Sequence, residues 1–331
     1  MTRRADWMAL TLGAALLAPP AAIAGPTNDA EIDRAASQCA RSAATADDLI
    51  AACSSLIARA EADPAISGAQ LGPAYLNRGL AYDAKGQLDL AISDYSQAIM
   101  RGAESAQAHN DRGVDYARLG RLDAAFSDFN SAIALKPNYA SAYFNRARAF
   151  MQARRPDQAA VDLGQVVRLT PDDAGAYVSR ASVRRLLGDL DGAIADLDEA
   201  NTLRPGDPDT LINLGAAFAE KGDTDKALAS FSEAVRLDPK SAPALVNRAA
   251  MWLETRNYER AAEDADGALT LSPNLAAALR TGCRARALGA IGDDAGLGMC
   301  ERAVAADPKN PLGLADRALA HLRRGETAKA A

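Results

Sequence analysis

The chain has 331 residues, a formal net charge of −6, only two histidines and 5% aromatic residues. Its mild acidity excludes nucleic acid as the main partner, because nucleic-acid binding needs a concentrated stripe of lysine and arginine. Apolar residues make up 49% of the chain, with alanine the commonest of them, which predicts a core built by close helix–helix contact.

The first 24 residues have the pattern of an export signal. Arg3 and Arg4 precede an apolar stretch, and Ala22-Ile23-Ala24 supplies small residues before a cleavage point at Gly25. The apolar stretch is too short and too interrupted for a membrane span. We therefore predict that residues 1–24 are removed and that the mature chain is exported, with the bacterial periplasm as its compartment and no integral membrane span.

From residue 72 onward the chain repeats with a period of 34 residues. A fixed period of this length is typical of a solenoid, in which each repeat packs only on its neighbours. Within a repeat, glycine ends one apolar-periodic stretch, an acidic residue opens a second stretch and proline closes it, which predicts two helices. The clearest marker of the period is a small residue at one shared position: Gly79, Gly113, Ala147, Ala181, Gly215, Ala249 and Cys283.

Two segments, residues 75–99 and 211–239, closely resemble the tetratricopeptide repeat. The resemblance implies an all-α fold, a right-handed superhelical solenoid of antiparallel helix pairs. On this interpretation residues 72–310 hold seven repeats and residues 25–71 form a divergent N-terminal helical hairpin that acts as a cap. Residues 311–331 begin a partial terminal repeat.

Aligned with the repeats, the four cysteines fall on two positions. Cys39 and Cys283 take the small-residue position of a first helix, and Cys53 and Cys300 take the position of Tyr95 in a second helix. These positions face each other within one helix pair, which predicts the disulfides Cys39–Cys53 and Cys283–Cys300. Disulfides suit an exported protein. The alternative is four buried free thiols that act as small apolar side chains.

Arginine directly precedes the small residue in most repeats, and aspartate occupies one shared position in the second helix. Where the arginine is missing, at Leu214 and Gly282, the aspartate is missing too. This joint change predicts an ion pair between the two helices of a repeat; the alternative is a row of arginines for acidic ligands. The predicted pairs are Arg78–Asp94, Arg112–Asp128, Arg146–Asp162, Arg180–Asp196 and Arg248–Asp264.

No pattern in the sequence predicts catalysis. His109 and His321 lack cysteine, aspartate or glutamate at the spacing of metal ligands. The stretch from Gly292 to Gly296 lacks the alternating oxygen ligands of a calcium loop. We therefore expect no enzyme, no metal and no cofactor.

The first helices of the family that the chain resembles line a concave groove. On that implication the groove presents a row of short polar side chains, and asparagines in such a row can hydrogen-bond an extended peptide backbone. Asparagine is also common at this position for structural reasons. The row is Asn77, Asp111, Asn145, Ser179, Asn213 and Asn247, with Phe144, Arg148, Arg185, Ile212 and Leu253 beside it.

The predicted function is an exported scaffold that binds partner proteins or peptides in this groove. Two alternatives stay open. The chain could be the repeat portion of a larger enzyme or transferase, since the last repeat breaks off after Gly325. It could also be a cell-envelope accessory protein that binds glycans, although the groove lacks an aromatic platform for a sugar.

Overall fold

The computed structural model describes residues 37, 39, 45–62, 68–102, 105–289, 294–326 and 329. These residues form sixteen α-helices and no strand, so the predicted all-α class is confirmed. The predicted signal peptide and Gly292 and Asp293 of the calcium-like stretch lie outside the described residues. Within the described part of the chain, no helix combines the length and the apolar character needed to cross a membrane.

The chain divides into an N-terminal unit, residues 1–155, and a C-terminal unit, residues 156–331. Within each unit consecutive helices pack against each other, and each first helix also contacts the next first helix. The helices of the N-terminal unit are α1 (Ala46–Ala62), α2 (Gly68–Ala84), α3 (Leu88–Met100), α4 (Ala106–Arg118), α5 (Leu122–Leu135) and α6 (Ala140–Gln152).

The C-terminal unit has ten described helices, and its pairs begin with the second helix of the predicted repeat 140–173. They are α7 (Pro156–Leu169), α8 (Ala174–Leu186), α9 (Leu190–Leu203), α10 (Pro208–Lys221), α11 (Thr224–Leu237), α12 (Ala242–Glu254), α13 (Tyr258–Leu271), α14 (Ala276–Gly289), α15 (Asp294–Ala306) and α16 (Pro311–Arg323).

The turn between the two helices of a repeat needs one residue in the left-handed region. Four repeats place glycine there, with φ between 71° and 84° at Gly86, Gly120, Gly188 and Gly222, because glycine has no Cβ to clash. Arg154 and Arg256 stand at the same position in two other repeats and adopt φ of 58° and 57°. The helix pair therefore imposes this turn even on a residue that is strained by it.

The small residue of each first helix allows the closest helix contact in the repeat. A Cβ built on Gly79, Gly113 or Gly215 would lie 2.7 to 2.9 Å from the ring of Tyr95, Phe129 or Phe231 in the second helix. Such a separation is shorter than any ordinary carbon–carbon contact. In these three repeats an aromatic ring lies against bare backbone, and this contact requires glycine at the small-residue position.

The cysteines replace this contact with a covalent bond. Cys39 bonds to Cys53 and Cys283 bonds to Cys300, with Cα–Cα distances of 4.8 Å in both pairs. Each pair occupies the two positions that glycine and an aromatic ring hold in three of the other repeats. The structure thus supports the predicted bridges over the alternative of four free thiols, and such bonds fit an oxidising compartment.

The strained turn at Arg256 gives a test of this packing account. Arg256→Gly should raise the free energy of unfolding by about 1 kcal/mol, because glycine adopts the left-handed region without a Cβ clash. Urea unfolding followed by circular dichroism measures the change. Glu254→Gly, in the last turn of α12, is the matched control and should lose roughly 1 kcal/mol. A loss of stability in Arg256→Gly would contradict the assignment of strain to this turn.

Candidate partner-binding groove

An arginine–aspartate pair ties the first helix of a repeat to the second. Arg78 donates from Nε and Nη2 to the two carboxylate oxygens of Asp94, at 2.7 and 2.8 Å. Asp94 is buried, and its hydrogen bond raises the pKa of Arg78. The same two-pronged contact, at 2.6 to 2.8 Å, joins Arg112 to Asp128, Arg180 to Asp196 and Arg248 to Asp264.

A planar fork on a carboxylate fixes direction as well as distance. The pair therefore holds each first helix at one rotation about its axis and decides which residues face outward. The structure places four of the five predicted pairs in contact. The fifth, Arg146–Asp162, has one residue in each unit and stays a prediction.

The arginines of the N-terminal unit also reach the preceding helix pair. Arg78 donates from Nη1 to Ser54 Oγ at 3.0 Å, and Arg112 donates from Nη1 to Ser96 Oγ at 2.8 Å. Each guanidinium thus joins three helices. This contact was not predicted from the sequence, although the recurrence of serine directly after Cys53 and Tyr95 is a visible signal for it.

The seventh repeat, where Gly282 and Met299 replace the pair, uses a different arginine. Arg286 lies one turn after Gly282 and is buried; it donates from Nη2 to Asp266 Oδ2 at 2.6 Å. Its Nη1 lies 3.5 Å from Met299 Sδ. The carboxylate in this pair belongs to the second helix of the preceding repeat. The seventh repeat therefore uses an arginine at a different position and a partner from a different repeat.

Three members of the predicted polar row are bonded inside the N-terminal unit. All six members of the row are half-buried on first helices. Asn77 donates from Nδ2 to the Cys39 carbonyl at 3.1 Å, and Asn145 donates to Asn110 Oδ1 at 3.0 Å. Asn110 in turn donates to Asp111 Oδ1 at 3.0 Å. The bonds of Asn77 and Asn145 link neighbouring helix pairs. For these two residues the asparagine has a structural role, the alternative that the sequence left open.

In the C-terminal unit the side chains of the row make fewer hydrogen bonds to described residues. The Ser179 hydroxyl donates to the Gly175 carbonyl of its own helix at 2.8 Å. Asn213 in α10 and Asn247 in α12 differ, since neither side-chain amide hydrogen-bonds to any residue that the structure describes. Two half-buried amides therefore stand one repeat apart on neighbouring first helices with their donors and acceptors unused.

The apolar residues predicted beside the row are half-buried, and two of them pack against buried core residues. Phe144 is half-buried. Ile212 packs against the buried cluster around Leu211, and Leu253 packs against the buried alanines of α13 and α14. Part of the Ile212 and Leu253 side chains therefore stabilises the helix stack, and part stays at the surface.

Four arginines on first helices differ in their surroundings, and two of them, Arg148 and Arg185, were predicted beside the row. Arg185 Nε lies 3.3 Å from Glu220 Oε1, so a negative charge stands beside this arginine. Burial lowers the pKa of Arg148. Arg280 and Arg284 are exposed one turn apart on α14. Arg280 and Arg284 are therefore the most exposed of these four arginines.

Several stretches of the chain match profiles of one repeat family. Sequence profiles described as tetratricopeptide repeat match residues 72–101, 144–208 and 212–276, and one described as TPR repeat matches residues 113–153. The chain belongs to the tetratricopeptide repeat family, whose repeats form protein-interaction scaffolds. A search of curated proteins finds no match to its sequence.

Solved structures agree on the fold. The C-terminal part of a TPR repeat-containing protein from Cytophaga hutchinsonii is 16% identical with a TM-score of 0.61, covering 73% of this chain and 98% of that one. PilF from Pseudomonas aeruginosa is 17% identical with a TM-score of 0.51, covering 61% and 92%. A chain of the Cut9–Hcn1 hetero-tetramer of the APC/C is 19% identical with a TM-score of 0.55. The match covers 89% of this chain and 56% of that one. These likenesses establish an all-α helical solenoid.

The repeat 208–241 shows how the ion pair can be replaced, because it holds Leu214 and Ser230 at the two positions, both buried. Asp264→Ser alone should cost roughly 2–4 kcal/mol of unfolding free energy, since it leaves the Arg248 guanidinium without its carboxylate. Arg248→Leu combined with Asp264→Ser should stay within about 1 kcal/mol of the wild type. Urea unfolding of the two variants checks both values. A double variant no more stable than the single one would contradict the pairing.

Proposed function

We propose that the chain is an exported scaffold that binds an extended segment of a partner protein along its first helices. The observation that carries the proposal is the pair of unused amides at Asn213 and Asn247. A primary amide offers both donors and acceptors, and an extended peptide presents its N–H and C=O groups at regular intervals. Neighbouring first helices therefore offer two matched contacts to the peptide backbone.

The surroundings of the two amides suit such a ligand. Leu214 and Gly215, which follow Asn213, are buried, and so is Val246, which precedes Asn247. The helices that carry the amides are held by the close contacts of each pair, so little ordering entropy is lost when a partner docks. The exposed Arg280 and Arg284 on α14 give the same face a positive end for acidic groups of the partner.

Export to the periplasm is part of the proposal. Its supports are the signal pattern of residues 1–24 and the two disulfides, which persist in an oxidising compartment and are rare in the cytosol. Tetratricopeptide repeat proteins generally act as scaffolds rather than as enzymes, and the proposal assigns this chain the same kind of role.

Loss of the two amides tests the binding role. An Asn213→Ala/Asn247→Ala double variant should recover roughly tenfold less partner than wild type after cross-linking in the native envelope, since two backbone contacts are lost. Its stability should change by less than about 0.5 kcal/mol, because the amides bond to no described residue.

Ser179→Ala serves as the matched control for this experiment. It lies in the same row, but its hydroxyl is already used by Gly175, so the variant should recover partner as wild type does. Equal recovery by the double variant and the control would remove the asparagines from the mechanism.

A further inference from the structure

Three kinds of contact join the two helices of a pair. One is an aromatic ring on a glycine, the second is the arginine–aspartate fork and the third is a disulfide. The repeats 72–105 and 106–139 have both the ring and the fork. The repeat 208–241 has the ring alone. The repeats 174–207 and 242–275 have the fork alone.

The seventh pair, α14 and α15, depends on its disulfide. Cys283–Cys300 joins the two helices, and Gly282 and Met299 stand where other repeats have the fork. A Cβ built on Gly282 would lie 2.6 Å from Met299 Sδ. A thioether on an unbranched, flexible side chain packs closely without imposing one geometry. The disulfide is therefore the contact that fixes how α15 lies on α14.

The apolar cluster around this disulfide is small. Its other buried members are Leu279, Met299 and Ala303. Helix α16 packs on both α14 and α15, but its buried residues are Gly313 and His321, and neither has a large apolar side chain. Because hydrophobic stabilisation scales with the apolar area removed from water, α15 and α16 are weakly held once the disulfide is broken.

Helix α14 is held independently of the disulfide. Buried Arg286 donates from Nη2 to Asp266 Oδ2 in α13 at 2.6 Å, and α14 also packs on α12 and α13. In α15, Arg302 donates to the Pro273 carbonyl from an exposed side chain, and an exposed hydrogen bond contributes little to stability. Breaking the disulfide therefore frees α15 and α16 rather than α14.

The N-terminal disulfide has a different setting. Cys39 and Cys53 belong to a larger buried cluster that includes Leu56 and Tyr75. Asn77 in α2 also donates to the Cys39 carbonyl at 3.1 Å. Considerable apolar packing thus remains around this pair without its disulfide, and it serves as the internal comparison for the seventh pair.

We propose that Cys283–Cys300 is a redox-controlled clasp. When it is oxidised, α15 and α16 are closed on α14; when it is reduced, they are released while α10 to α14 stay folded. Export supplies the change of conditions, because thiols stay reduced in the cytosol and disulfides form in the periplasm. This timing rests on the proposed function, whereas the clasp itself is a property of the chain alone.

The closing step is a thiol–disulfide exchange with the disulfide of an oxidoreductase. The thiolate of one cysteine attacks that disulfide and forms a mixed disulfide; the second cysteine attacks in turn, forms Cys283–Cys300 and releases the donor as a dithiol. Two electrons and two protons pass from the cysteines to the donor, and a dithiol reductant reverses both steps. Because Cys283 is 1% and Cys300 0% exposed, either reagent reaches the sulfurs only while α15 is away from α14.

Hydrogen exchange of the purified full chain, with and without dithiothreitol, tests the clasp. Alkylation and mass measurement verify that both disulfides are reduced. We expect amide exchange in α15 to become roughly a hundredfold faster on reduction, with α16 changing in the same direction. Exchange in α10 to α13 should change by less than about twofold.

Two variants separate the disulfide from the packing around it. Cys283→Ala/Cys300→Ala should exchange like the reduced wild type in both conditions. Cys283→Gly/Cys300→Phe installs the ring contact of the repeat 208–241 and should keep α15 protected in both conditions. Cys39→Ala/Cys53→Ala is the matched control, and its α15 should respond to dithiothreitol as wild type does.

The inference falls if reduction leaves α15 protected, or if the alanine variant exchanges like the oxidised wild type. It also falls if reduction loosens the whole C-terminal unit equally, or if the response of α15 is lost in the control. Fast exchange in the Gly/Phe variant would contradict the equivalence of ring and disulfide. Each of these results leaves the asparagine-dependent recovery of partner untouched, because that experiment changes only α10 and α12.

Discussion

Close contact between the two helices of a pair is the constraint on which the rest of the structure depends. An aromatic ring of the second helix lies against a glycine of the first, as Phe231 does on Gly215. In two pairs a disulfide takes the same two positions. The ion pair stands directly beside this contact, because Arg78 and Asp94 precede Gly79 and Tyr95. Apolar packing and a directional charge contact thus fix the same geometry.

This rigid frame lets neighbouring surface positions differ in chemistry at little structural cost. One position carries asparagine, aspartate or serine from repeat to repeat. The Asn145 amide hydrogen-bonds to Asn110 and so links two helix pairs. The Asn213 amide hydrogen-bonds to no described residue, and this is the group that we propose for a partner. Asp115 departs from the frame itself, since it places a carboxyl group where alanine packs elsewhere.

The fold and the contacts within a repeat were predictable because the repeats serve as their own alignment. Joint changes at Leu214 and Ser230 identified the ion pair, and equivalent positions identified the cysteine partners. Contacts between neighbouring repeats were not predictable in this way. The bonds from Arg286 to Asp266 and from Arg118 to Asp83 depend on the angle between adjacent helix pairs. That angle is set by packing, which a period of 34 residues does not specify.

The central claim is that the first helices, held in one rotation by the second, are the working surface. Hydrogen exchange of the chain with and without its purified envelope partner tests it most directly. The account predicts partner-dependent protection in α10 and α12, with α11 and α13 unchanged. Protection confined to α11 and α13 would contradict it.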